Sequence, residues 1–459
     1  MGIVVERSSP EILVRRRRFR VSPTAIFFAL VAIGLTICSF LNGPLSWDGS
    51  FYLFEMLDHQ TWFIAQHHRW INYVLQAPTL VAMHVTWNIK LLSIIFSLSY
   101  ASPALIGLLA SWFICRRRPA LFIWPALGIA LTSLPGMFCF NSEATMTAAW
   151  FWPVLIATLI GTDFVEFLCV AVFALTMLII HPNAASVLGF GTITALISAL
   201  IPPFKPRRFI AGVSLAILTV VRLLIPLTPY EHRQMHVFSA GKSFYWGVMG
   251  WPLISVICGF VAAALLLARA RGWLRSPLME VAPAIAILAA GAALVPWALR
   301  PAAWTNEMEF RFWMAPLSLV MMGACALDAW LGYEDGSLPR ARRAALAATG
   351  LVFMTILTLQ SLTWNRLTRR LLGDLQNGGC ISFADLPWLA DTPMNHWSTA
   401  SYAIDLQGRA PHSLVLQGNG CRAYAHNRTV RIIWLTRRSG EGWFDLDQVP
   451  IDRQFPWMR

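Results

Sequence analysis

LLSIIFSLSYASPALIGLLASWFI, residues 91–114, holds no charged side chain and runs into Arg116, Arg117 and Arg118. A helix crosses the ~30 Å apolar core of a bilayer with ~20 such residues, and the backbone then satisfies itself where no water can. Outward from this run, apolar stretches recur near 21–43, 119–136, 144–161, 164–181, 184–202, 209–227, 244–268, 278–299, 312–332 and 344–363, giving eleven expected spans. The 459 residues are 57% apolar and 13% charged, with a mean hydropathy of +0.57, which excludes a water-soluble fold of this size. The fold class is an all-α polytopic membrane protein.

The 36 basic and 23 acidic residues leave a net charge of +13, which suggests nucleic acid in a soluble chain but marks sidedness here. Arg15, Arg16, Arg17, Arg18 and Arg20, then residues 116–118, then Lys205, Arg207 and Arg208, then Arg269, Arg271 and Arg275, then Arg340, Arg342 and Arg343 all fall on one face if every span is crossed. The positive-inside rule makes that face cytoplasmic. Residues 1–20 are then a cytoplasmic basic terminus, 21–363 the membrane domain with a first external loop at 44–90, and 364–459 an external domain. The first apolar run lacks a small-residue cleavage site, so no cleavable signal peptide is expected. The only lysines are Lys90, Lys205 and Lys242, an Arg bias read as that of a GC-rich bacterial genome. The expected location is a bacterial inner membrane with the carboxy terminus periplasmic.

In the first loop Phe51, Phe54, Leu57, Trp62 and Ile64 interleave with Glu55, Asp58, His59 and His68, the pattern of one or two amphipathic helices lying in the interface. Its plain reading is a structural belt, since Trp and Tyr favour the headgroup region whatever a protein does. From Gly373 the long apolar runs stop. Tyr402-Ala-Ile-Asp-Leu-Gln, Ser413-Leu-Val-Leu-Gln and Val430-Arg-Ile-Ile-Trp-Leu read as strands of a small β-rich appendage. Cys380 and Cys421 are its only cysteines, and an oxidising compartment lets them bridge, with two free thiols as the alternative.

Asp48 follows the first span directly, between Trp47 and Gly49. A carboxylate at a membrane edge, partly desolvated by aromatic neighbours, is suited to take a proton from a hydroxyl; the plain alternative is a helix cap. Glu143, at the mouth of the fourth span, is a second acid or an ordinary first-turn residue behind a cap at Asn141 or Ser142. Asp58 is a third. His67 and His68 are adjacent, so they point about 100° apart on a helix and give no i, i+4 metal pair; a divalent ion is not indicated by spacing. Candidate anion contacts are Arg69, His67, His68, His181, Arg222, His232, Arg233 and Arg311. Arg222 is the sharpest anomaly, because a charge inside a span is costly unless paired or snorkelling.

Arg311 stands in Glu307-Met-Glu-Phe-Arg-Phe-Trp-Met-Ala-Pro316 at the head of the tenth span. An Arg-aromatic pair there, with Pro soon after, resembles GT-C glycosyltransferases such as protein mannosyltransferases and aminoarabinose transferases. Those enzymes carry a catalytic acid in the first external loop, the place Asp48 occupies. The chain departs from the family at Gly49, where the common doublet of acids is missing. The resemblance implies a sugar donor on a polyprenyl phosphate, an external glycan, lipid or protein acceptor, membrane lipid as surroundings, and inverting transfer with Asp48 as base. No nucleic-acid partner is expected. The rival is a lipid-linked-sugar flippase or secondary transporter, which needs polar groups near the midplane; an acyltransferase using an external His is a third. The topology is checked by labelling single cysteines in sealed cells. A cysteine near Ser413 should react without permeabilising the inner membrane and one near Arg117 only after it; the reverse pattern overturns the span count.

Overall fold

The computed structural model describes residues 22–63, 69–133, 140–161, 163–229, 231–233, 250–273, 276–331, 338–432, 435–438 and 441–450. His67, His68, Lys242, Cys139 and the residue 15–20 arginines lie outside these residues. The chain is mostly helical. Each apolar run carries a helix: α1 (Pro23–Phe40), α4 (Ile89–Cys115), α5 (Ile123–Ser133), α6 (Glu143–Ile160), α7 (Phe164–Met177), α8 (Ala184–Leu200), α9 (Pro206–Leu224), α10 (Gly250–Ala270), α11 (Ala282–Leu299), α12 (Glu307–Trp330) and α13 (Arg340–Leu375). The first loop adds α2 (Asp48–His59) and α3 (Ile71–Met83). Among the described residues six helices, α1, α4, α6, α10, α11 and α13, are long and apolar enough to cross a membrane. α9 carries Arg207, Arg208 and Arg222, and α5, α7 and α8 are shorter.

Local chemistry explains several of these elements. Asn88 Oδ1 accepts the Leu91 amide at 3.2 Å and starts α4. Pro103 inside α4 offers no N–H to the Ser99 carbonyl, and Ser102 Oγ donates to it instead at 2.7 Å. α7 begins with a reciprocal cap, Asp163 accepting the Glu166 amide and Glu166 accepting that of Asp163. That amide, with Arg117 and Arg116 beside it, holds the Asp163 carboxyl below its usual range.

One end of the bundle is tied by arginines. Arg116 and Arg117 reach Asp163 and Glu166, Arg269 reaches Glu280 at 2.7 Å, and Arg118 is an electrostatic neighbour of Lys205 and Arg208. Arg342 grips Asp328 with two nitrogens at 2.7 and 2.8 Å and also donates to Ala120 O, while Trp124 Nε1 donates to Asp328 at 2.7 Å. This buried fork joins α5, α12 and α13.

α3 is inside out by the standards of a soluble helix. Asn72, Gln76 and Thr79 are buried, whereas Val74 and Val81 are 62% and 66% exposed. Such a face meets its solvent only where the solvent is apolar. The expectation that α2 lies on an interface needs correcting, because Gly49 through Asp58 are all buried. Part of the carboxy-terminal region covers it.

That region also differs from the β-rich appendage expected. β1 (Gly379–Ser382) pairs parallel with β2 (Ser413–Leu416), β3 (Thr429–Ile432) antiparallel with β4 (Leu435–Arg438), and two helices, α14 (Thr399–Gln407) and α15 (Gly420–Asn427), fill in between. Residues 402–407 are therefore helix, not strand. Thr399 through Asp405 are buried all round, so their apparent alternation reported no exposed face. α13 runs unbroken past the expected boundary at 363 to Leu375, joining the region rigidly to the bundle. Cys380 and Cys421 are disulfide-bonded with Cα atoms 5.5 Å apart; closing a loop of this length stabilises by roughly 3 to 4 kcal/mol on chain entropy.

Asp405 in α14 is buried and neither oxygen has a hydrogen-bond partner. Burial holds its carboxyl well above the usual carboxylate range. The neutral form therefore belongs to the fold, while the unfolded chain ionises above its ordinary pKa, so this group weakens the fold increasingly as pH rises beyond about 4. Asp405→Asn should melt above the wild type at pH 8 and level with it near pH 4, measured by thermal denaturation; an equal difference at both pH values would refute the assignment.

Candidate functional site

α1 ends in a short 3-10 turn, Gly43–Leu45, and the next residues set up the site. Asn141, just before α6, donates its side-chain amide to the carbonyls of Pro44 and Ser46. Neither it nor Ser142 caps α6 with its side chain. Gly49 lies beneath this clamp: a Cβ there would fall on Pro44 O and the Asn141 amide. Only glycine fits at position 49. Trp47 adopts φ +59°, a backbone that costs a bulky residue ~1–3 kcal/mol. It is held by the Ser50 hydroxyl, 3.1 Å from its carbonyl, and by the His396 ring at 4.4 Å.

Asp48 is consequently the first helical residue of α2, with Trp47 in the cap position and no side-chain cap bond. Tyr52 stands one turn further on. Burial raises its phenol pKa well above the ordinary range, and Glu143 and then Asp48 push the same way, whereas Arg69 pulls down. Glu143, the first residue of α6, is buried and ion-paired to Arg69 Nη1. Behind them Tyr100 donates to Asn72 Oδ1 at 3.0 Å, and Gln76 Nε2 donates to the Phe63 carbonyl at 2.7 Å. α2, α3, α4 and α6 therefore bring together a largely buried polar cluster of Asp48, Tyr52, Arg69, Asn72, Gln76, Tyr100 and Glu143. Tyr52 was missed from sequence; its one signal is the i, i+4 spacing from Asp48.

Asp58 has a different use. Its Oδ1 accepts the amides of Trp443 at 2.9 Å and Phe444 at 3.4 Å, and a Cβ on Gly442 would collide with its carboxylate. Phe54 stacks on Phe444 and Trp87 on Trp443, at 5.0 and 5.5 Å. Ten residues from Asp48, it sits about 15 Å away along the helix axis, at the opposite end of α2. It anchors the carboxy-terminal region and is not beside Asp48 and Glu143.

Next to this cluster lies a cavity of about 160 Å³ lined by Trp70, residues 178–182, Arg222, Ile225, Pro226 and Glu231. Of the consecutive residues Arg69 and Trp70, the first pairs with Glu143 and the second lines the cavity. Arg222 Nε donates to the His181 carbonyl at 3.4 Å, and Glu231 is its electrostatic neighbour. The expected all-cationic phosphate cluster is modified accordingly: Arg222 and His181 meet, but with a carboxylate, while His232 and Arg233 are exposed. Arg311 lies on α12, its side chain outside what the structure describes. Another space, a cleft of about 240 Å³, lies between Trp47, Ala302, residues 390–393, Asn395 and His396. No group of three or more His, Cys, Asp or Glu among the described residues is arranged to hold a metal ion. No family model, curated protein or solved structure matches this chain.

The Arg69–Glu143 pair is testable by its burial. Arg69→Met leaves a buried carboxylate alone, which costs ~3–5 kcal/mol, and adding Glu143→Gln should return most of it. Thermal melts of the single and double variants decide: a harmless single variant would show that the pair is not needed.

Proposed function

We propose that this protein is an integral-membrane glycosyltransferase that moves a sugar from a polyprenyl-phosphate donor to an acceptor hydroxyl. In this reading the arginine-tied end faces the cytoplasm of a bacterial inner membrane, all the apolar helices span, and the Asp48 cluster lies toward the outer face. The observation that carries the reading is Asp48 at the junction of α1 and α2, half-buried, with Tyr52 and the Arg69–Glu143 pair around it. A carboxylate at a helix start keeps its charge through the helix dipole and still borders a low-dielectric wall, the setting of a general base.

Asp48 takes the proton from the acceptor hydroxyl as that oxygen attacks the anomeric carbon. The carbon–oxygen bond to the phosphate breaks on the opposite face, inverting the centre, and the prenyl phosphate leaves with the electron pair. Arg69 is the cation of the cluster and meets the growing phosphate charge; Glu143 fixes where its guanidinium sits. Tyr52, kept protonated by its surroundings, donates a hydrogen bond to the acceptor.

Asp48→Asn keeps the shape but accepts no proton. It should fold normally and lose ~10²-fold to 10⁴-fold in turnover. The assay is transfer from a panel of radiolabelled prenyl-phosphate sugars by protein in vesicles, with the melting temperature as folding control. Wild-type transfer by Asp48→Asn would end the assignment, and no transfer by the wild type from any donor would end the reading as a whole.

A further inference from the structure

The cavity beside the Asp48 cluster has a composition that sugar transfer does not account for. Arg222 and Glu231 are each only 7% exposed, and both line it. Among the described residues Arg222 makes one hydrogen bond, through Nε to the His181 carbonyl, and no carboxylate lies within ion-pairing distance of it. Its two terminal nitrogens are thus left to the cavity. Glu231 commits Oε2 to the Thr228 amide at 2.8 Å and hydroxyl at 3.2 Å; Oε1 has no such duty. A buried guanidinium and a buried carboxylate that share a space without closing on each other compensate each other only across that space, a costly arrangement unless something carrying both opposite charges lies between them.

The walls name the kind of molecule. Leu178, Ile179, Ile180, Pro182, Ile225 and Pro226 are apolar, and Trp70 adds an indole. On α9 the residues next to Arg222 continue the apolar surface outward: Val221 is 40% exposed, Leu223 69% and Leu224 76%. The cavity is too small for acyl chains, whereas the adjoining helix surface suits them. We propose that this cavity is a binding site for the head group of a zwitterionic phospholipid with a primary amine, a phosphoethanolamine lipid. The phosphate diester takes the forked N–H donors of Arg222, and the ammonium donates to Glu231 Oε1. A phosphoglycerol lipid would offer Glu231 a neutral hydroxyl donor but no opposite charge. A choline head group has no N–H to give the carboxylate. The site stands independently of glycosyl transfer and makes a specific lipid a resident partner of the fold.

Native mass spectrometry of the full chain, released from micelles doped with palmitoyl-oleoyl phosphatidylethanolamine, phosphatidylglycerol or phosphatidylcholine, tests this. The ethanolamine lipid should bind about tenfold tighter than the other two, as one buried charged hydrogen bond provides. Glu231→Gln, which retains an oxygen for the Thr228 amide, should erase that preference, and Arg222→Gln should weaken all three lipids. Asp48→Asn should bind as the wild type does, so loss of transfer and loss of lipid are separable. Free O-phosphoethanolamine should compete only at far higher concentration. The proposal is overturned if the wild type shows no head-group preference, if Glu231→Gln keeps the preference, or if free phosphoethanolamine binds as tightly as the lipid.

Discussion

The Asn141 side-chain amide, shared between the carbonyls of Pro44 and Ser46, fixes the geometry on which the rest of the site depends. Buried carbonyls left without a donor cost ~1–3 kcal/mol each, so this one side chain decides which shape the 43–47 turn takes. With the turn set, Trp47 is confined to its left-handed backbone, Gly49 fits under the clamp, and Asp48 opens α2. Glu143 comes two residues after the clamp on α6, so the same contact that holds the turn brings the second carboxylate toward Tyr52. A single hydrogen-bonding group thereby joins the end of one apolar helix, the start of an amphipathic one and the start of a third.

The two ends of the bundle use the same residue types differently. At the arginine-tied end, Arg116 and Arg117 with Asp163 and Glu166, and Arg342 with Asp328, close directly on each other and staple helices together. At the other end Arg69 also closes on Glu143 beside Asp48 and Tyr52, whereas Arg222 and Glu231 face a cavity without forming an ion pair. Closed pairs resist opening and suit a connector. Charges that share a space but do not neutralise each other give a site something to offer a ligand.

The carboxy-terminal region is part of this site's wall. α13 enters it without a break, the Thr368 and Tyr402 hydroxyls lie 2.9 Å apart, and Ser398 offers its carbonyl to Ser50. Burial, with Thr368 opposing, pushes the Tyr402 phenol up to about 12, so it stays a hydrogen-bonding hydroxyl throughout the physiological range. Asp58 and the Trp443–Phe444 amides close the far end of α2. Held at both ends, α2 has little freedom to shift Asp48 relative to Glu143.

The sequence by itself determined the apolar helices, because crossing a bilayer is a demand on local composition that no distant contact can waive. It also determined that Asp48 begins the element after α1, since the change from apolar to polar is sharp there. Only the structure puts Trp47, and not Asp48, in the cap position of α2. Tertiary structure alone decided the partnerships: Asp58 with amides at 443 and 444, Arg69 with Glu143, and Glu231 with the cavity of Arg222. It also decided that residues 402–407 are helical. Such partners lie far apart in the chain or on elements whose relative placement is fixed by packing, and a segment buried on every side leaves no periodicity to read.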